Sequence, residues 1–407
     1  MLKRLVSHGL GVVTIVVAGQ AFAQALSARG PTSSAASSGP GSIPVGPLTV
    51  YPALDLAHGY DDNLFLRPTN PTSSSFTIVS PSVRAELKTG PHKYDFALRV
   101  DNGRFHSSPA DSYTDYALNA AAGLVFSARS HLALRAEHRH GHDSRGSTDR
   151  GISASPDEYD NTSAGGTFSY GAPGARGRIE VDANAYTRRY TNNRAATAAA
   201  DRDAATIGGT FYWRVMPRTE LLFQAQHTGI KYALSTSTQS SQEDRYLVGV
   251  KWEATAKTRG IAKFGVQSKK FDSAAREDIS GTSSWDVGIR WSPLTYSVFD
   301  FVSSRSTGES TGIGDATVGS TYGVTWSHAW SSRLRTQVLA NYGSGQFPGV
   351  TGAGRKDHTS VFGLKVAYDF RRWLRLGAEY SHADRDSNDS TFNYRKNLLL
   401  FTVGATL

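Results

Sequence analysis

The feature that most constrains this chain is a two-residue alternation of apolar and polar side chains that recurs along most of its length. It is clear in the segments YDFALRV (94–100), RYLVGVKWE (245–253), SWDVGIRW (284–291) and VFGLKVAYDF (361–370). Because successive side chains of a strand point to opposite faces, this period predicts β-strands with one apolar and one polar face. Aromatic residues recur near both ends of these segments, as expected where strands cross the two interfaces of a membrane.

The beginning of the chain carries an export signal. Two cations precede the apolar run 10–17, and the small-residue motif AFA (21–23) follows it. This arrangement predicts a secretory signal peptide over residues 1–23, because a membrane anchor would need about 20 apolar residues. The segment 24–47 is rich in Pro, Gly and Ser without periodicity, and we interpret it as a flexible periplasmic leader.

Composition narrows the fold class. The 407 residues contain no cysteine, which excludes disulfide scaffolds and thiol metal sites. Only 39% of them are hydrophobic, and the mean hydropathy of −0.37 is low for a chain with a large buried core. A membrane barrel resolves this, because half of each strand faces lipid and half faces water. We therefore predict an all-β fold, a transmembrane antiparallel up-and-down β-barrel of about 18 strands in residues 48–407.

Short and long connections alternate between the predicted strands. Short ones include residues 128–130 and 216–218, whereas long polar ones include GSTDRGISASPD (146–157) and TNNRAATAAA (191–200). Outer-membrane barrels show this alternation, with short periplasmic turns and longer surface loops. From their lengths we expect no loop to fold inward and constrict the channel. The final segment, NLLLFTVGATL (397–407), is similar to the C-terminal strand signal that the barrel-assembly machinery reads.

The polar phase of the alternation carries many charged residues. A charge facing lipid costs about 2–4 kcal/mol at the membrane midplane, so these residues are predicted to face the lumen. The cations proposed to line it are Arg84, Arg99, Arg135, Arg178, Arg214, Lys251, Lys263, Arg290, Arg335, Lys365 and Arg375. Most are expected to pair with acids and stiffen the wall. The net charge of +9 means that positive residues exceed negative ones, and this excess favours anions over cations in the lumen.

A short motif at the end of the first strand suggests a family. Tyr60-Asp61-Asp62-Asn63 follows the strand that begins near Leu48. Together with the hairpin series, it resembles the β-barrel porin family encoded in exopolysaccharide and capsule gene clusters of Gram-negative bacteria. The resemblance implies an outer-membrane protein of polysaccharide synthesis and secretion, without catalytic residues or cofactors. From the residues alone, the motif is interpreted as a solvated strand end, with a divalent-ion contact as the alternative.

The implied function suggests partners. These are a polysaccharide, which the charge excess predicts to be acidic, outer-membrane lipids and the assembly machinery. A periplasmic polysaccharide-export protein is expected to dock at turn arginines, which otherwise meet lipid headgroups. The four candidates are Arg129, Arg218, Arg371 and Arg372. Nucleic acid is not expected as a partner, because basic residues are dispersed among acidic ones.

Other functions remain open from sequence. A diffusion porin for small anions would carry the same lumenal charges, and an outer-membrane enzyme or adhesin could be built on the same barrel. His138, His140 and His142 share one face at period two, but no carboxylate partner is evident, so no metal site is predicted. The strand phase also predicts that arginine at Val250 or Val287 blocks assembly, whereas arginine at Gly249 or Gly288 is tolerated.

Overall fold

The structure, a computed structural model, describes residues 41–172, 174–253, 255, 257–310, 312–349 and 354–406. The predicted signal peptide 1–23 and most of the leader 24–47 lie outside the described residues.

A three-residue strand, β1 (Ile43–Val45), comes first, and eighteen long strands follow it in the described residues. They are β2 Leu48–Asp61, β3 Ser74–Thr89, β4 His92–Phe105, β5 Tyr113–Val125, β6 Ser130–Asp143, β7 Asp157–Tyr170, β8 Gly177–Tyr190, β9 Arg202–Met216, β10 Thr219–Tyr232, β11 Ser241–Trp252, β12 Thr258–Phe271, β13 Ile279–Leu294, β14 Ser297–Glu309, β15 Ala316–Ala329, β16 Leu334–Phe347, β17 Arg355–Arg371, β18 Leu374–Ser387 and β19 Tyr394–Thr406.

The long strands close into a single antiparallel barrel. Each pairs with its neighbour in sequence, and β19 returns to pair with β2 from Leu398 opposite Asp61 to Thr406 opposite Ala53. Closure gives each of the eighteen long strands two partners, which satisfies the backbone donors and acceptors that a membrane leaves without water. The predicted fold class and strand number are confirmed.

β1 covers the part of β2 that β19 does not reach. It pairs antiparallel with the start of β2, with Ile43 opposite Val50 and Val45 opposite Leu48. The other edge of β2 is held by β3 along its whole length, so β1 lies on the edge that β19 leaves uncovered. Part of the segment interpreted as a flexible leader is therefore strand, because a free sheet edge offers it backbone partners.

The two faces of the wall differ as the alternation predicts. In β2, Leu54 is 40% exposed and faces outward, whereas Ala57 on the other phase is 3% exposed. Exposed tryptophans such as Trp291 and Trp373 lie beside the short turns, and exposed tyrosines such as Tyr342 lie nearer the long loops. These bands match the aromatic girdles of outer-membrane barrels.

The connections alternate in length around the barrel. Two residues join β9 to β10, whereas residues 144–156 join β6 to β7, and the loop after β8 contains the short helix Arg194–Thr197. In the described part of the chain, no helix is both long and apolar enough to cross a membrane.

Candidate functional site: the lumen and its mouth

The lumen wall carries the eleven cations singled out in the sequence, and nine of them are paired with carboxylates. Arg84 pairs with Asp95 (2.5 Å) and Glu86 (2.8 Å). The other pairs are Arg99–Asp55 (3.1 Å), Arg178–Glu180, Arg214–Glu220 (2.9 Å), Lys263–Asp286 (3.0 Å), Arg290–Asp300 (2.5 Å), Arg335–Asp369, Lys365–Glu379 (3.6 Å) and Arg375–Asp369 (2.6 Å).

Several of these contacts pass over an intervening strand. Arg99 on β4 reaches Asp55 on β2, and Arg245 on β11 reaches Asp286 on β13 at 3.1 Å. Side chains of alternate strands converge in this way only on the concave side of a curved sheet. The pairs therefore tie the wall together from inside.

Towards the short turns, three cations on the same face have no ion-pair partner among the described residues. They are Arg135, Lys251 and Arg259. Near the long loops, Arg202 also lies on the inward phase without such a partner in the described residues. Arg259 was missed in the sequence, although its spacing from Lys263 places it on the same phase. Glu137 and Asp182 on this face also have no ion-pair partner in the described residues, so the unpaired cations outnumber the unpaired acids and give this part of the wall a small positive bias.

Burial of the inward-facing residues changes along the barrel axis. Arg135 and Glu137, in the lower half of β6, are exposed. Towards the long loops the inward side chains are buried, including Asp143, Tyr394 and Lys269, the last with 0% exposure. The lumen is thus solvated on the side of the short turns and packed on the side of the long loops.

The loop 144–156 folds into the barrel mouth. Asp149 accepts a hydrogen bond from Arg355 Nη1 at 2.8 Å, and these side chains are only 1% and 3% exposed. Arg355 belongs to β17, on the far side of the barrel from β6 and β7. The same loop packs at Gly146 against the backbone of Phe65, and Gly312 packs against its Asp149–Arg150 segment.

The expectation that no loop folds inward is therefore wrong. Each limb of this loop has about six residues and can span about 20 Å when extended. Length alone did not reveal its path, because the partner on β17 is 206 residues away in sequence.

Arg355 is a fixed anchor for the loop. Its Nε and Nη2 donate to Asp357 at 2.9 and 2.6 Å, while Nη1 is directed at Asp149. The guanidinium carbon also lies 4.2 Å from the ring centre of Phe347 and 3.4 Å from that of Phe392. These contacts orient the guanidinium independently of the loop.

A second anchor holds the loop to its own side of the barrel. Arg150 contacts Asp143 at 2.9 Å, Asp157 at 3.0 Å and the Tyr190 hydroxyl at 3.1 Å. Burial alone would lower the pKa of Arg150, but Tyr190, Asp143 and Asp157 outweigh it and raise the pKa above its ordinary value. The side chain therefore stays charged and paired.

The motif Tyr60-Asp61-Asp62-Asn63 joins the first strand to the last. Asp62 accepts from the Asn397 amide nitrogens of backbone and side chain at 2.6 and 2.7 Å. Asn63 Nδ2 donates to the Arg395 carbonyl at 2.9 Å.

The interpretation of this motif as a solvated strand end is wrong. Asp61 is 4% exposed and pairs with Lys396 at 2.6 Å, and Asn63 is 2% exposed. The partners lie more than 300 residues along the chain, so only closure of the barrel brings them to the motif.

The three histidines of β6 bind separate neighbours. His138 contacts Thr162 at 2.9 Å, His140 contacts Asp160 at 2.8 Å, and His142 contacts Asp115 at 2.9 Å. Among the described residues, no group of three or more His, Cys, Asp or Glu is placed to hold a metal ion.

These features define the class of protein. A closed barrel with an apolar outer belt, a charged inner wall and an inward-folded loop is an outer-membrane β-barrel of porin type. The family described as "Putative beta-barrel porin 2" matches residues 37–407, and the chain belongs to it. No curated protein matches the chain.

Solved outer-membrane barrels share this fold. OccK3 (OpdO) from Pseudomonas aeruginosa superposes with a TM-score of 0.50 at 12% identity, covering 88% of this chain and 96% of OccK3. OpdK from Pseudomonas aeruginosa, solved with vanillate, gives 0.50 at 14% identity, covering 88% and 99%. The FrpB iron transporter from Neisseria meningitidis gives 0.48 at 12% identity, covering 84% of this chain and 64% of FrpB. This chain thus spans less than two thirds of FrpB.

Proposed function

We propose that this outer-membrane barrel is the passage through which an anionic exopolysaccharide or capsular polysaccharide is secreted. The observation that carries the proposal is the difference between the two ends of the lumen. The end beside the short turns is solvated and positively biased, whereas the end beside the long loops is packed and crossed by the loop 144–156. A cargo reaching the periplasmic end meets the accessible part of the channel first.

The unpaired lumenal cations give the passage its preference for anions. Arg135, Lys251 and Arg259 are not neutralised by ion pairs in the described residues. A charged cleft with low-dielectric walls concentrates ions of opposite sign. Tyr51 and Tyr212 lie beneath Arg84 and Arg178, with guanidinium-to-ring distances of 5.4 and 3.8 Å. Those faces are occupied, so charge rather than sugar stacking is proposed as the main source of selectivity.

Transport requires the mouth to open. The loop 144–156 is held by charge-assisted hydrogen bonds to Asp111, Asp143, Asp157 and Arg355, not by a large apolar core. Such contacts can exchange for water without exposing apolar surface. The loop is therefore proposed to act as a lid that prevents leakage between transport events.

Deleting the protein tests the proposal directly. Surface polymer should be lost while its synthesis machinery remains intact, and restoring the full chain should restore it. Normal surface polymer in the deletion strain would refute secretion.

Diffusion of small anions is the second candidate, because the same unpaired cations act on an anion of any size. Purified protein in planar bilayers would then conduct small anions, and the deletion strain would take them up more slowly while its surface polymer stayed normal. Docking of a periplasmic polysaccharide-export protein beneath the barrel stays a prediction.

A further inference from the structure

The short turns form a ring of exposed cations. Eight short turns join β3 to β4, β5 to β6 and every second pair of strands after that, up to the turn between β17 and β18. We define the periplasmic rim as these eight turns together with the one strand residue on each side of every turn. Among its described residues, seven cations are exposed and have no carboxylate within ion-pair distance: Arg129, Arg176, Arg218, Lys257, Arg333, Arg371 and Arg372. They are spread over six of the eight turns, and Glu253 is the one acidic residue in the described rim.

The opposite end of the barrel has the reverse character. Four loop arginines there are each paired with an aspartate. They are Arg145, Arg150, Arg194 and Arg276. The described loops also carry more acids than bases. The described turns of the rim thus have a net positive charge and the described loops a net negative one, although exposed cations without an ion-pair partner, such as Arg67 and Lys356, also occur at the loop end.

The positive charge continues from the rim into the lumen. Lys251 directly precedes the rim residue Trp252, and Arg259 directly follows the rim residue Thr258. Arg135 lies further up the wall on β6. All three are on the inward phase and without ion-pair partners in the described residues.

We propose that the periplasmic rim captures the anionic polysaccharide and feeds it into the lumen. This inference rests on the proposed function and identifies where the cargo first binds. A polymer with a carboxylate on many of its sugars can contact several rim cations at once, so individually weak contacts add to a stable association. The negatively charged polymer can then be attracted by the lumenal cations and move into the barrel.

The continuity of charge favours the polymer over other anionic partners. An acidic export protein or a lipid headgroup would be bound at the rim, and neither explains unpaired cations facing the lumen. Arg176 and Arg371 lie 5.0 and 4.7 Å from the ring centres of Trp213 and Phe370 in the outer aromatic belt. These two are the rim cations best placed for lipid and are left unchanged in the test.

The test uses full-length protein in nanodiscs of phosphatidylcholine. The probe is polygalacturonate, with neutral dextran as the uncharged comparison. The rim variant replaces Arg129, Arg218, Lys257, Arg333 and Arg372 with Gln. A matched variant removes the same charge at the loop end by replacing Arg104, Lys231, Lys270, Lys356 and Arg395, all exposed and on the outer face, with Gln. Heat-modifiable gel mobility establishes that each barrel is folded.

We expect the wild type and the matched variant to bind polygalacturonate but not dextran, and the rim variant to lose at least tenfold in affinity. Added salt should weaken the wild type more than the rim variant. Unchanged polygalacturonate affinity in the folded rim variant would overturn the proposal. If the rim variant lost affinity only for phosphatidylglycerol vesicles and kept its affinity for polygalacturonate, the rim would be assigned to lipid and the proposal would also be overturned.

Cells separate this inference from the proposed function. A photo-crosslinker placed at Arg218 should capture polymer, and capture of a protein without polymer would overturn the inference. If deletion abolishes surface polymer but the rim variant secretes normally, secretion stands and rim capture fails. If deletion leaves surface polymer normal, the proposed function itself fails.

Discussion

The guanidinium of Arg355 ties the inward loop to the wall opposite its own strands. Two of its nitrogens are committed to Asp357 on the same strand, so only Nη1 serves the loop. Weakening that contact should loosen the loop on this side of the barrel, while the anchors at Arg145 and Arg150 stay in place.

Replacing Asp149 with Asn is therefore expected to open the mouth. A charged hydrogen bond contributes about 1.5–3 kcal/mol, so the open population should rise about ten- to hundredfold. Single-channel recording in planar bilayers measures this as open probability. Asp389→Asn, in an exposed loop where Asp389 accepts from Thr391, is the control. Equal open probability in the two variants would rule out the lid.

At the scale of elements, the strand phase sets what each position tolerates. Val287 is on the apolar phase of β13, and Gly288 faces the lumen with nothing closer to an added Cβ than an Ile261 methyl at 3.9 Å. Gly249 is not an equivalent control, because a Cβ there would overlap the carbonyl oxygen of Ala262. The expectation that arginine is tolerated at Gly249 is wrong for this steric reason.

Val287→Arg should reduce the yield of folded barrel, whereas Gly288→Arg should fold. The difference reflects the cost of about 2–4 kcal/mol for arginine in lipid, which does not apply in a wet lumen. Gel-mobility shift on heating measures the folded fraction. The same loss for both substitutions would show that the register is not what controls assembly.

The seam between β2 and β19 is a second element-scale feature that can be tested. Asp62→Ala removes two hydrogen bonds to Asn397 and should lower the free energy of unfolding by about 2 kcal/mol or more. Asn397→Ala removes only the side-chain bond to Asp62 and keeps the backbone one, but it also removes the contacts of Asn397 Oδ1 with Tyr380 and His382. Because both variants remove the bond from Asn397 Nδ2 to Asp62, the double variant should lose less than the sum of the two single losses. Urea unfolding in detergent gives the three values. Strictly additive losses would contradict the seam assignment.

At the scale of the whole molecule, the unpaired lumenal cations should control ion selectivity. Replacing Arg135, Lys251 and Arg259 with Gln is expected to shift the reversal potential in a salt gradient away from anion preference, because paired charges contribute little net field. Removing the same charge from the outer face at Arg104, Lys231 and Lys270 is the control. A selectivity that changes equally in both variants would place its origin outside the lumen.

The architecture was predictable because its cause is local. The two-residue period, the alternation of short and long connections and the charges on one phase all follow from neighbouring residues, and the cost of charge in lipid assigns that phase to the interior. Nine of the eleven cations chosen on this basis pair with carboxylates, as expected of most of them.

Tertiary structure alone decided what happens where distant segments meet. The lid depends on Asp149 reaching Arg355, and the motif at Asp62 depends on Asn397, a residue near the other end of the chain. The steric block at Gly249 likewise depends on the backbone of a neighbouring strand. Strand periodicity carries no information about such contacts. They form only when the barrel closes and a loop folds across it, and these steps bring together residues that are far apart in sequence.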